Sequence, residues 1–488
     1  MGEFLTTGDP RVEHVRHLKA VRERDRLRQK QNWDRLRTLG MGVAPDVIGR
    51  RLPTAYDPGM NALSDGAWKG RRVFIVGGGP SLRDFDFSRL QGELVIGINR
   101  AYERINCTVL YSMDERFFGW AAAGTFGSEA LARYREFKGV KLAGLFAAEI
   151  PAGCQAVMLS STEALPTSLG AGLFHGNNSG YSALLLAYLL GANPIYLLGY
   201  DCKYEDGRSH WHGGYPAATT ESTVGSFIPY FERLAPELSK KGVTVVNLNP
   251  DSALRCFPFR EFDSIRDLGR AESPDSGFMV ISYYTKGTGY EQEVERLETS
   301  LRLHQLPHRI YPYAPAGSWR ANLNFKSEVI LAAFDRFPGK DIVFLDSDAI
   351  VRRYPVLFDS LSRSHKFDIS AHFFNYRPES GDADELLSGT LWIQNNDVGR
   401  RLVAKWHEIG LANPGVRHQM CLKHAVAELK KEGVPVRVNR HPFAYTCIFD
   451  YAGAYSTEPV IEHFQASRRL RREVGYGSDL LHRVPGAA

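Results

Sequence analysis

The feature that most constrains this chain is a series of short apolar runs, each ending in glycine, asparagine or aspartate: VFIVGGGP at 73–80, ELVIGIN at 93–99, TVLYSMD at 108–114, PIYLLGYD at 194–201 and VTVVNLNP at 243–250. Runs apolar at every position suit strands covered on both faces, and the stretches between them suit helices, so a parallel sheet wrapped by helices is predicted. A polar stretch, about 260–276, separates these runs from a second alternating set. That set holds FMVISYY at 278–284, DIVFLDSD at 341–348 and SGTLWIQNN at 388–396. The expected fold class is therefore α/β, with two Rossmann-like units in series over 61–262 and 277–475 and a tail at 476–488. At 488 residues the chain is long enough for two or three folded units. It carries no internal repeat and no low-complexity tract, which excludes a solenoid.

Charge is unevenly spread. Residues 11–37 hold ten Lys/Arg against four Asp/Glu, while the whole chain is only +5. With no Pro or Gly in that stretch, a basic helix is predicted within the amino-terminal segment 1–60. It suits a solvated helix packed on the next unit, contact with DNA, or an anionic membrane surface. No apolar run approaches the roughly 20 residues of a membrane span, and no signal-type stretch follows Met1. The six cysteines form no CxxC pair. A cytoplasmic protein with free thiols is expected.

In the first unit, Gly77-Gly78-Gly79-Pro80-Ser81 follows a strand and precedes a helix-type start. Such a loop turns tightly and can aim N–H groups at a phosphate. Asn99, Asp114 and Asp201 end their own strands, and Asn177-Asn178-Ser179-Gly180 opens a helix. Strand ends of an open parallel sheet gather at one crevice, so Gly77, Gly79, Ser81, Asn99, Asp114, Ser179 and Asp201 are candidate nucleotide-binding residues.

The order VFIVGGGPSL, IGIN, GNNSGYSALLLAYLLGA, IYLLGYD resembles the bacterial sialyltransferase-like fold and the related family typified by archaeal hydroxymethylpterin diphosphokinase. Gly78 stands where the sialyltransferase branch has an Asn. The resemblance implies a general-base histidine after the last of these strands, and His210 or His212 of Ser209-His210-Trp211-His212 occupies that place.

In the second unit, Asp346-Ser347-Asp348 follows the apolar Ile342-Val343-Phe344-Leu345. A rigid strand that delivers two carboxylates to its carboxyl end suits Mg²⁺ or Mn²⁺ bridging a diphosphate. Lys326, Ser388-Gly389-Thr390, Arg417-His418-Gln419 and the late His463 with Arg468 and Arg469 accompany it. This ordered set resembles GT-A glycosyltransferases, particularly those akin to glycosyltransferase family 8.

The family implies that Asp346, Asp348 and His463 hold the metal and a nucleotide-diphosphate sugar. It further implies that Lys326 with Arg468 or Arg469 meets phosphates, that Gly389 lies against the sugar, that Gln419 lies near the sugar or acceptor, and that configuration is retained. His418 stands where the family usually has an acidic residue. Asp382, Asp384 and Glu385 are candidates for an intervening carboxylate, and Trp319 with Arg320 for stacking on a base or acceptor. The acceptor is expected to be a glycan, a lipid-linked sugar or a protein. The alternatives are a glycosyltransferase acting on a hydroxylated DNA base through residues 11–37, or a pyrophosphokinase-like enzyme in the first unit.

Overall fold

The computed structural model describes residues 62–114, 116–146, 150–213, 215–216, 220–265, 276–315, 322, 325–374, 385–413, 416–449 and 458–466. The basic stretch 11–37, Trp319, Arg320, Asp382, Asp384, Arg468 and Arg469 lie outside the described residues. Those described form three sheets.

The first sheet contains β1 (Val73–Val76), β2 (Leu94–Ile98), β3 (Val109–Ser112), β4 (Val140–Leu145), β5 (Gln155–Ser160), β6 (Leu173–Phe174), β7 (Ile195–Leu198) and β8 (Val245–Asn247). Its order is β6-β5-β4-β3-β2-β1-β7-β8. Every neighbouring pair is parallel. All residues of β1, β2, β3, β7 and β8 are buried, because helices and loops cover both faces. One cover is the helix Ser179–Leu189, whose side chains are buried almost all round. Asn178 caps it by accepting from the Tyr181 N–H at 2.8 Å. The chain departs from β1 in both directions across the sheet, so the crevice between the ends of β1 and β7 is the switch point where ligands collect in such sheets.

The second sheet is mixed, with order β10-β9-β11-β14-β13-β15. Its strands are β9 (Phe278–Thr285), β10 (His308–Tyr313), β11 (Asp341–Leu345), β13 (Ile369–Phe374), β14 (Glu385–Ile393) and β15 (Val438–Arg440). β9, β10 and β11 run parallel, and β14 pairs antiparallel with both β11 and β13. A small third sheet joins β12 (Ala349–Val351), β16 (Cys447–Ile448) and β17 (Ile461–His463) in the order β12-β17-β16.

The units touch through residues at the starts of their strands. The buried Trp68 indole N–H donates to the Leu303 carbonyl at 3.0 Å. The Gln305 amide donates to the Glu93 carbonyl at 2.9 Å and the Thr108 hydroxyl at 3.1 Å. Leu303 and Gln305 precede β10, Trp68 precedes β1, and Glu93 and Thr108 precede β2 and β3. These contacts lie on the amino-terminal side of β1, β2 and β3, away from the carboxyl ends that form the crevice. No described helix is long and apolar enough to cross a membrane.

Candidate functional site

β11 lies between β9 and β14 and is buried at every position. Its ladder runs on for one more bond, from the Asp346 N–H to the Gly389 carbonyl at 2.9 Å, which fixes the aspartate at the strand's end. The chain then turns, with the Ala349 N–H donating to the Asp346 carbonyl at 3.0 Å, and enters β12. In the antiparallel register of β12 and β17, Ala349 faces His463. That pairing brings a distant imidazole beside Asp348. One ligand atom from each of Asp346, Asp348 and His463 lies within 4.8 Å of the others.

Each member of this triad is seated by a neighbour. The His463 Nε2 lies 2.8 Å from the Thr390 hydroxyl, and its Nδ1 lies 3.6 Å from Asp348 Oδ1. The ring therefore turns Nδ1 toward the carboxylates, as an oriented ligand histidine must. Asp348 Oδ2 accepts from the Ala466 N–H at 2.7 Å. Although burial opposes its charge, the His463 imidazole and that N–H hold the Asp348 carboxyl below its ordinary value. Asp346 is only part-buried, yet the enclosure of its carboxyl pushes it upward, opposed by the Lys326 ammonium. Two carboxylates and an imidazole fit Mn²⁺, whose ligand preference admits nitrogen, and fit the all-oxygen habit of Mg²⁺ less well.

Lys326, the second residue of the helix Phe325–Arg336, is 1% exposed. Its Nζ lies 2.7 Å from Asp346 Oδ1, 3.0 Å from the Ser388 carbonyl and 3.3 Å from His418 Nε2. An ammonium has three protons, and these three acceptors use them. Lys326 is thus a buried strut under Asp346, where family resemblance implied a phosphate ligand. His418 faces an ammonium, so its Nε2 accepts; burial, with the Lys326 and Arg417 charges, depresses its basicity well below the ordinary value. Gln419 is half-buried in the first turn of the helix His418–Lys431. Gly389 lies in β14 with no room to spare: a Cβ there would stand 3.2 Å from Asp346 Oδ2 and 3.1 Å from His463 Cε1. Glu385 begins β14 and lies 3.5 Å from the Arg417 guanidinium.

In the first unit, Gly77, Gly79, Asn99, Asp114, Ser179, Asp201, His210 and His212 line one cavity of about 430 Å³ at the β1/β7 crevice. Several donors of the glycine loop are engaged within the fold. The N–H groups of Gly77 and Gly79 donate to the carbonyls of Leu198 and Gly199, at 2.8 and 2.9 Å. Those of Ser81, backbone and hydroxyl, donate to Asp201 at 2.7 and 2.6 Å. Each glycine is required by packing, since a Cβ would lie 2.6 Å from the Gly199 carbonyl oxygen at Gly77, 2.6 Å from the His210 ring at Gly78 and 2.4 Å from the Asp201 carboxyl carbon at Gly79. Asp201 itself accepts from Ser81 and from the Asn249 amide at 2.8 Å.

The general-base expectation for the histidines meets a physical obstacle. Burial, with the Arg100 charge nearby, lowers His210, and burial with His210 and Arg100 drives His212 down to about 3. A base so weak takes up little proton near neutrality. His210 Nδ1 is engaged at 2.7 Å by the Ser209 hydroxyl.

The sequence matches no protein-family model and no curated protein. Among the solved structures that match the chain are three of glycosyltransferases. One, involved in glycosylation of the major capsid protein of PBCV-1, is 17% identical and aligns with 40% of this chain and 96% of its own, at a TM-score of 0.31. GlyE of Streptococcus pneumoniae TIGR4 is 15% identical, with 42% of this chain and 59% of its own aligned at a TM-score of 0.28. The apo form of GlyE gives 15% identity, 38% and 54% coverage and a TM-score of 0.26.

The residues that the sequence alone left without a role are Thr390, His418 and the Ala466 N–H. Their signal was faint, because each acts through a neighbour and not through a motif of its own.

Proposed function

We propose that this protein is a metal-dependent glycosyltransferase of GT-A type, which moves a sugar from a nucleotide-diphosphate donor to an acceptor hydroxyl. One observation carries the reading: Asp346, Asp348 and His463 converge on one point at the end of a central strand. Mn²⁺ held by these three would supply a fixed charge against the diphosphate leaving group.

The chain's own residues do the rest. Lys326 holds Asp346 in place and neutral His418 holds Lys326, so the carboxylate needs little reorganisation when a donor arrives. Thr390 orients His463. Gly389, without a side chain, lets Asp346 and His463 pack against the backbone of β14, and it is assigned to the wall beside the sugar. Gln419 supplies an amide near the sugar or acceptor. Arg468 and Arg469 follow Ala466, whose N–H binds Asp348, after one intervening residue, Ser467, and are assigned to the departing phosphates. The acceptor is a glycan, a lipid-linked sugar or a protein.

The test is a panel of UDP-, GDP- and CMP-sugars incubated with the full chain, with and without Mn²⁺, while donor hydrolysis is followed. Turnover that requires Mn²⁺ and disappears in Asp346→Asn and Asp348→Asn is expected. Mn²⁺-dependent turnover that persists in the double variant would remove the assignment.

A further inference from the structure

The cavity of the first unit belongs to neither the metal site nor its ligands. The second unit packs against residues that precede β1, β2 and β3, away from the carboxyl ends of β1 and β7 where the cavity lies. Its ligand must be recognised by the cavity alone. At about 430 Å³ it lies within the roughly 300–1,000 Å³ of ordinary small-molecule pockets.

Three observations define what it can hold. First, three N–H groups of the glycine loop, those of Gly77, Gly79 and Ser81, are engaged by Leu198, Gly199 and Asp201. Second, the charged side chains among the described lining residues are acidic: Asp114, which Arg116 pairs at 3.1 Å, and Asp201, which has no cation beside it. Asp201 is 2% exposed, and the donors it accepts from, Ser81 and Asn249, are neutral. A phosphate beside it would meet an uncompensated buried carboxylate. Third, the remaining wall is uncharged: hydroxyls, amides and rings. Asn99 is held in the left-handed region at φ 50°, with its Oδ1 buried and without a partner. His210, shifted toward the neutral form, lies parallel to Tyr215, with ring centroids 6.2 Å apart and planes at 8°.

Acceptors call for a ligand rich in hydroxyl donors, and ring faces call for flat C–H surfaces. We propose that this cavity binds a neutral saccharide unit and so anchors a glycan at a point remote from the metal site. The binding stands on the cavity's chemistry; only its purpose, holding a glycan on an enzyme that extends or decorates glycans, rests on the proposed transferase activity.

Saturation-transfer NMR on the full chain tests this with methyl glycosides of glucose, galactose, mannose and N-acetylglucosamine and their common disaccharides, and with CMP, UMP and inorganic phosphate in parallel. Asn99→Gly removes the amide and keeps the left-handed backbone, and Thr223→Trp fills the exposed rim of the cavity. The expected result is saccharide binding that each variant weakens about tenfold, the loss of roughly one good hydrogen bond, at an unchanged melting temperature. Asp346→Asn should leave it intact.

No saccharide signal, or stronger binding of CMP, UMP or phosphate, would overturn the proposal. So would binding that survives both cavity variants, or that disappears in Asp346→Asn. Saccharide binding without any donor hydrolysis would remove the transferase reading and leave the cavity assignment standing.

Discussion

The Lys326 ammonium lies 2.7 Å from Asp346 Oδ1 and is itself 1% exposed, while the carboxylate side chain remains 39% exposed. A buried cation thus fixes the position of a carboxylate that solvent and substrate can reach. Lys326→Met keeps the length of the side chain and removes the charge, leaving Asp346, the Ser388 carbonyl and His418 without their donor. Breaking the pair should cost about 1–3 kcal/mol, less than the penalty for a fully enclosed pair because Asp346 is partly hydrated. Donor hydrolysis should fall by more than the stability loss explains, which parallel melting curves and rate measurements will separate.

Gly389→Ala places a methyl group 3.2 Å from Asp346 Oδ2 and 3.1 Å from His463 Cε1. The strand tolerates alanine, so the protein should melt within a few degrees of wild type. Its KM for the nucleotide sugar should rise, and steady-state kinetics with a melting curve checks both halves of the expectation.

Gly79→Val acts on the other unit. Its Cβ would fall 2.4 Å from the Asp201 carboxyl carbon, and Asp201 anchors both donors of Ser81. Overpacking of this kind should cost about 1–3 kcal/mol or more. Mn²⁺ affinity should be unchanged in whatever protein remains folded, as measured by metal titration below the melting transition.

Acid should destabilise the fold through its buried imidazoles. Burial, with the Arg71 charge adding, lowers His304 from 6.5 to about 3. The unfolded chain takes up a proton below pH 6.5 and the folded chain does not, so stability is full above that value and falls as pH drops toward 3. At pH 5 this one group should cost about 2 kcal/mol relative to pH 8. His304→Leu should flatten that slope, which urea midpoints at the two pH values will show.

The sheet's interior was legible in the sequence where strands are covered on both faces. β1, β2, β3, β7, β8, β9 and β11 are near-continuous apolar runs. β4 carries Lys141 and Gly144, β10 sits at an edge with Arg309 and Pro312, and β16 and β17 span two and three residues. Such strands are held by neighbours and leave little periodic trace. Asp346, Asp348 and His463 could be picked out because carboxylates and a histidine at strand ends are chemically conspicuous. The strut of Lys326 and His418 could not, since it exists only once a helix amino terminus packs behind β11. The glycine loop could not be assigned from sequence for a physical reason: glycine serves a phosphate and serves close packing equally well, and here Gly199, His210 and Asp201 lie where side chains would go.

The account turns on a divalent cation between Asp346, Asp348 and His463, and titration of Mn²⁺ into the full chain, followed by electron paramagnetic resonance, tests it most directly. Wild type should remove about one equivalent of free Mn²⁺ per chain, and Asp346→Asn/Asp348→Asn should remove none while melting as a folded protein. An undiminished free-ion signal with wild type, or equal uptake by the double variant, would contradict it.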